Sequence, residues 1–392
     1  MKRMVENVLL KPMRVEHCSQ TLYESLQFCV KMYELTRDSR WDEEGRRVIK
    51  LVRMTQQHDG GFDIGYDFDF GRIHKRGWSS APECEMLVSL IEYGISFGFG
   101  EVMDIIEKGI GWILNNSSQI GSASWMIPYC PAASEDVMVY NGVSFSLAPL
   151  AMYHRFIRKD QRIKEIHDGF LNYLSGEFDW ERGFWRYSDQ SRGDLNRDQR
   201  RKVDNYHLGQ QLEMHCRSYE CVPREENLKL IRRLADYLLT LHQDWCPEPL
   251  PYLNLTTNEK MGVHLWGYAS LINGFLQYYR IQKESAALEA CKDIFEWVTQ
   301  NAWLGDHFAC VYHSIGTRMD RRFYPRSDAW VINNLVAYMA AEDPNNDWLQ
   351  RTVSVYENIV RNDFSGYENH VLTNGKKLYG RLLQFKRWCS HK

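Results

Sequence analysis

Apolar residues recur along this 392-residue chain with helical rather than strand spacing nearly from end to end. The pattern predicts helices at about 16–37, 42–58, 81–98, 101–115, 140–158, 160–175, 204–220, 224–243, 262–282, 285–300, 326–341 and 345–362. These fall into six pairs. Their first members begin near 16, 81, 140, 204, 262 and 326, an internal repeat with a period close to sixty residues.

The two members of a pair differ in kind. Second members are amphipathic: within 224–243, Leu228, Ile231, Leu234, Leu238 and Leu241 share one face, and Lys229, Arg232, Arg233 and Asp236 the other. First members are apolar nearly all round. In 262–282, Leu265, Ala269, Ile272 and Leu276 make one stripe, while Trp266, Leu271, Phe275 and Tyr278 cover the opposite side. A helix apolar on every side must be enclosed, whereas a one-faced helix needs a single neighbouring surface. Six of each predict an inner ring inside an outer ring. The expected fold is all-α, an (α/α)6 toroid forming a single domain over 1–392, with a C-terminal extension at 363–392.

The connections sort by length. Turns inside a pair are short (Ser39–Trp41, Phe99–Gly100, Lys159–Asp160, Lys283–Glu284), and loops between pairs are long (59–80, 116–139, 176–203, 244–261, 302–325). All long loops then share the end of the ring that carries the N-termini of the inner helices. Gly/aromatic elements recur in them: Gly60-Gly61-Phe62, Ser124-Trp125, Gly183-Phe184-Trp185 and Trp303-Leu304-Gly305. That end is the expected functional face, with the largest pocket opening there and helix N-termini favouring bound anions.

Composition narrows the classes. The net charge of −3 supplies no global field for nucleic acid, so no nucleic-acid partner is expected. Aromatics reach 13%, including 13 Trp and 22 Tyr, more than a core of this size requires. The 10 cysteines contain no CxxC and sit mostly in apolar helical patterns, which fits buried thiols; neither a metal set nor a cofactor is expected. The N-terminus lacks the apolar run of a signal peptide and no stretch reaches membrane-spanning length, so the chain reads as cytoplasmic. Oligomeric state is not written in these features.

With this architecture the chain resembles the six-hairpin, α/α-toroid superfamily of glycoside hydrolases, uronate lyases and epimerases, and more weakly the terpene-cyclase and prenyltransferase toroids. The resemblance is architectural and spans about 16–362. Gln56-x-x-Asp59-Gly60-Gly61-Phe62 resembles the Gln…Gly-Gly-Phe/Trp turns of the cyclase and prenyltransferase group. Arg326-Ser327-Asp328-Ala329-Trp330 resembles the Ser-Arg-Gly-x-Ala-Trp element of unsaturated glucuronyl hydrolases, with the Ser and Arg order exchanged. Asp67-Phe68-Asp69-Phe70 supplies only half of a cyclase DxDD motif, and the prenyltransferase zinc set has no counterpart.

Candidate chemistry gathers at the inner-helix starts and in the first long loop. Asp67 and Asp69 lie two apart, and on an extended segment would share a face and perturb each other's protonation. Asp204, Tyr206 and His207 form the densest polar group at any inner start, although Asp204 also suits an N-cap. Tyr140 and Asn141, His264 and Trp266, and Asp328 and Trp330 hold corresponding places in other repeats, and Asp328 shares the capping alternative. Trp78 and Trp185 join Trp266 and Trp330 as candidates for stacking on sugar rings. Basic runs include Arg72, Lys75 and Arg76; Arg192, Arg197, Arg200 and Arg201; and Arg318, Arg321, Arg322 and Arg326. Arg72 and Arg322 are taken as candidate contacts for an acidic ligand. The expected catalytic set is Asp204, His207, Asp328, Asp67, Asp69, Tyr206 and His264; Trp78, Tyr140, Asn141, Trp185, Trp266, Trp330, Arg72 and Arg322 are expected to bind substrate.

Two enzymatic readings remain open at this level. One is a carbohydrate-active enzyme on an anionic, uronate-containing oligosaccharide, working by paired carboxylates or by proton abstraction with His or Tyr. The other is an isoprenoid cyclase or transferase. A toroid that binds a glycan or peptide without chemistry is the third. Pocket polarity discriminates among them.

Overall fold

The structure, a computed structural model, describes residues 17–65, 67–70, 73–130, 139–188, 202–254, 260–261, 263–312 and 323–366. Among these residues there are twelve α-helices. The inner six are α1 (Ser19–Thr36), α3 (Ser80–Phe97), α5 (Tyr140–Phe156), α7 (Asn205–Cys221), α9 (Leu265–Gln282) and α11 (Pro325–Glu342). The outer six are α2 (Arg40–Thr55), α4 (Met103–Asn116), α6 (Gln161–Glu177), α8 (Glu225–Trp245), α10 (Ser285–Trp297) and α12 (Trp348–Arg361). Each inner helix packs on the next and α11 packs back on α1, so the ring closes; each outer helix packs on its own inner partner. This is the (α/α)6 toroid, with helix boundaries within a few residues of those read from periodicity.

Burial follows the predicted division. On α7, nearly every residue from Asn205 to Ser218 is buried, polar ones included. On α8, burial is confined to one stripe containing Leu230, Ile231, Leu234, Leu238 and Leu239. The inner helices also bury polar side chains along the ring axis, where they satisfy one another. Asn333 donates to Glu24 (2.6 Å) and Gln27 (2.9 Å), Gln27 donates to Ser89 (3.1 Å), and Lys31 donates to Asn333 (2.7 Å). Gln211 donates to Ser144 (2.8 Å), and Arg217 bridges Glu92 and Glu213.

The seam between the sixth and first pairs is held without a covalent link. Cys18 N–H donates to Phe364 O (3.1 Å), and the Thr21 hydroxyl donates to Ser365 O (3.0 Å).

The long loops hold short strands that helical periodicity does not register. β1 (Asp67–Phe70) pairs antiparallel with β2 (Ile73–Arg76), placing Asp67 opposite Arg76 and Asp69 opposite His74. β3 (Ser118–Ile120) pairs with β4 (Ser124–Met126). β5 (Lys202–Val203), β6 (Tyr252–Asn254) and β7 (Lys260–Met261) form a three-stranded sheet joining two different long loops. β8 (Val263–His264) pairs with β9 (Val311–Tyr312). Strands of two to four residues are too short to impose an alternation on the sequence.

A repeated turn follows α2, α6 and α10. Each is closed by a β-bridge to a buried phenylalanine: Gln56 with Phe62, Asp179 with Phe184, and Trp303 with Phe308. Each contains a glycine with positive φ: Gly60 at 98°, Gly183 at 89° and Gly305 at 106°. Two are pinned from inside the ring. Glu83, in the first turn of α3, accepts the Phe62 N–H, and Asp328, in the first turn of α11, accepts the Phe308 N–H (2.9 Å). A Cβ on Gly60 would also lie 2.3 Å from Lys108 O. Gly60→Ala is therefore expected to destabilise the protein by about 2–4 kcal/mol, combining φ strain with a backbone clash. Denaturant unfolding of the variant tests this, and a loss below about 0.5 kcal/mol would refute the assigned turn.

Candidate functional site

At the end of the ring bearing the inner-helix N-termini, a cavity of about 180 Å³ opens on the axis. All six inner helices line it: Gln20 and Tyr23 from α1, Ala81 and Pro82 from α3, Asn141 and Phe145 from α5, His207 and Gln210 from α7, Trp266 from α9, and Arg326 and Trp330 from α11. Tyr129, from the loop before α5, completes the wall.

His207 is the ionisable centre of this wall. Asp204, the N-cap of α7, accepts the His207 N–H with one oxygen (3.2 Å), and its other oxygen lies 3.0 Å from His207 Nδ1. Burial alone would push the Asp204 carboxyl up. His207 and Lys202, the latter 3.5 Å away, outweigh it and hold the carboxyl at about 2. One carboxylate thus caps the helix and sets its second oxygen beside the imidazole. The ring stacks on Tyr187 (5.8 Å between centroids) and faces Trp266 (6.1 Å).

Around the same wall, Trp266 meets Trp330 edge-to-face at 5.1 Å, and Trp330 meets Tyr23 at 6.0 Å. Tyr129 hydrogen-bonds to Tyr187 and Asn141, and burial raises its hydroxyl to about 12, so it stays a neutral donor at physiological pH. Asn141 is buried, and its Oδ1 accepts no hydrogen bond among the described residues. An acceptor left open beside a cavity is suited to a ligand hydroxyl. The Arg326 guanidinium donates to Gln20 (3.0 Å) at the same wall.

Of the candidates read from sequence, Asn141, His207, Trp266 and Trp330 meet in this cavity, with Asp204 behind His207. Several others are placed elsewhere. The Tyr206 hydroxyl is committed to Leu250 O (2.9 Å), and the Tyr140 hydroxyl to Glu177 (2.9 Å) towards the outer layer. Asp328 is the loop anchor described above; burial raises its carboxyl to about 7, against the hydrogen bonds that the Phe308 and Tyr324 N–H groups donate to it. His264 lies on β8 as the N-cap residue of α9, with an exposed side chain outside the cavity wall. Trp185 is enclosed, donating to Leu174 O (2.8 Å) and stacking on His215, and Trp78 packs on Trp112 at 4.9 Å. Arg72 and Arg322 lie outside the described residues, as do the side chains of Asp67 and Asp69. Gln20, Tyr23, Tyr129 and Gln210 were not anticipated as lining residues.

A second, roomier opening lies at the other end of the ring. Among the described residues, a cavity of about 340 Å³ opens at the opposite end, at the short turns, between Lys31, Glu92, Arg155, Arg217, Asn273 and Arg280. The C-terminal ends of the inner helices border it, and long charged side chains line the space. A third arrangement, Ser218 Oγ to His167 (2.8 Å) to Asp168 (3.1 Å), lies between α6 and α7 with Ser218 and His167 buried, and none of the three lines either cavity.

Six helical hairpins in a closed double ring, with a cavity at the inner N-termini, define the class as an (α/α)6 toroid. Solved structures that share the fold include a family 76 glycoside hydrolase (mannosidase) from Bacteroides thetaiotaomicron, at 10% identity and TM-score 0.65 over 84% of this chain and 89% of that one. Another is cellobiose 2-epimerase from Bacillus thermoamylovorans, at 11% identity and TM-score 0.63 over 85% and 90%. A third is an unsaturated glucuronyl hydrolase specific for heparin, at 11% identity and TM-score 0.61 over 87% and 94%. No protein-family model and no curated protein matches the sequence. Among the described residues, no helix is long and apolar enough to cross a membrane.

Below the cavity floor, burial pushes the Glu24 carboxyl up to about 8, against the Asn333 hydrogen bond that favours its charge. A carboxyl raised in the folded state contributes stability that is complete below its unfolded value and lost as pH rises through the folded one. Wild-type stability is therefore expected to fall between about pH 5 and pH 8. Glu24→Gln, which keeps an acceptor for Asn333, should flatten that fall by on the order of 2 kcal/mol at pH 8. Denaturant midpoints across this range test it; parallel curves for the two proteins would contradict the assignment.

Proposed function

We propose that the chain is a carbohydrate-active enzyme that moves a proton at a sugar carbon, with His207 as acid–base group in the axial cavity. The observation that carries this reading is His207 on the cavity wall, held by the buried, ionised Asp204 and flanked by Trp266 and Trp330. Aromatic faces suit the apolar faces of pyranose rings, and Gln20, Asn141, Gln210 and Arg326 supply polar groups for ring hydroxyls. A cavity so lined fits a sugar better than an isoprenoid chain.

Among the described lining residues there is no carboxyl group. Hydrolysis by two facing carboxyls would need groups from elsewhere, whereas proton abstraction needs one positioned base. His207 takes the proton from a carbon next to a carbonyl or carboxylate, and Tyr129 and Arg326 face the developing oxyanion. Delivery of a proton to the opposite face by a second donor, while His207 keeps the first, gives epimerisation; expulsion of a neighbouring substituent by the electron pair of the broken C–H bond gives elimination. Arg326 at the wall supports an acidic sugar such as a uronate, and the basic runs of the long loops add to that preference. The epimerase among the fold relatives is consistent with this chemistry.

The test is incubation with a panel of neutral and uronate-containing oligosaccharides in D2O and in H2(18)O. Epimerisation should incorporate one deuteron at carbon, and elimination should give an unsaturated product with neither label; oxygen incorporation without deuterium would overturn the proton-transfer reading in favour of hydrolysis. Asp204→Asn should stay folded at a cost of about 1 kcal/mol and lose at least about a hundredfold in kcat. His207→Gln should lose as much or more. Near-normal turnover by a well-folded His207→Gln protein would remove His207 from the site.

A further inference from the structure

Away from the axis, where the C-terminus of α8 meets α10, three different donor atoms converge. His242 Nε2 lies 3.2 Å from Asp293 Oδ2, and Cys246 Sγ lies 3.5 Å from the same oxygen. All three donors fall within 4.8 Å of one another. We propose that His242, Cys246 and Asp293 form a zinc site on the outer ring.

The geometry is the first argument. Zinc bonds of about 2.0 Å to N or O and about 2.3 Å to S, at tetrahedral angles, place an N–O pair about 3.3 Å apart and an S–O pair about 3.5 Å apart. The two observed separations match those edges, and the third is bounded by 4.8 Å. Donor chemistry is the second. One imidazole, one thiolate and one carboxylate form a borderline set that suits zinc, while magnesium and calcium prefer all-oxygen shells. Burial is the third. His242 is enclosed and packs edge-on against Phe275 (6.3 Å), so its ring is fixed, while Cys246 is exposed and Asp293 partly so. Solvent therefore reaches the metal from one side and supplies the fourth ligand. On binding, the Cys246 thiol gives its proton to solvent, and the neutral His242 ring coordinates through Nε2 with its proton on Nδ1.

The sequence offers only part of this signal. His242 and Cys246 stand four apart at the end of a helix, and the third donor comes from the next pair. The site would fix the start of the segment 246–251, whose Leu250 and Pro251 carbonyls accept from Tyr206 (2.9 Å) and Asn205 (2.9 Å) in the first turn of α7. The clip thereby braces the helix end that presents His207.

The test uses the full chain stripped with chelator and dialysed. Titration with Zn2+ should give one ion per chain with Kd at or below about 1 μM, and Co2+ should produce a thiolate charge-transfer band. Cys246→Ser and Asp293→Asn change solvent-reached side chains, so both should retain the wild-type circular dichroism. Each should weaken Zn2+ at least about tenfold, with loss of the cobalt band in Cys246→Ser. Binding of less than about 0.2 zinc per wild-type chain would overturn the site. So would an affinity within tenfold of wild type in either variant.

Discussion

Closing six helices into a ring creates an axis that neither solvent nor apolar side chains fill, and every polar group placed there must find a partner inside the protein. Four carboxyls (Glu24, Glu85, Glu92, Glu213) and two cations (Lys31, Arg217) share that interior. Burial drives Glu24 and Glu85 towards their neutral forms, while Arg217 bridges Glu92 and Glu213. Asn333, Gln27 and Ser89 tie the carboxyl layer across three helices. The polar centre therefore sets helix register, and the cavity above it inherits a rigid floor.

The same economy of buried carboxylates organises the functional end. Glu83 and Asp328 hold loop N–H groups, and Asp204 holds both a helix N-terminus and the His207 ring. These acceptors fix the loops against the helix starts, so the residues around the cavity sit on regular structure. A proton-transfer site gains from this, because its base must be oriented before substrate arrives.

Helix positions and the inner–outer division were legible because burial on all sides and burial on one side write different periodicities. Which residue of each helix start faces the axis was not. Neighbours on a helix point about 100° apart, so Tyr140 and Asn141, or Tyr206 and His207, part company: the tyrosines turn away and their successors face the cavity. Asp328 fails for the same reason, whereas Arg326 and Trp330, four apart, share the axial face. A signal for the phase did exist. Gln20, Glu24, Gln27 and Lys31 on α1, and Trp266, Ser270, Asn273 and Gln277 on α9, mark polar or amphipathic stripes on otherwise enclosed helices. The zinc donors were hidden because they belong to consecutive pairs, and the strands because they are too short.

The hydrogen bonds of Cys18 and Thr21 to Phe364 and Ser365 make the joint between the last and first pairs a surface like the other five. Chain order is thus cyclic in space although linear in covalent structure. Any of the short turns, Lys159–Asp160 for example, is topologically as fit to carry the chain ends as the present seam. The same closed ring is shared by chains that have scarcely a tenth of their residues in common with this one.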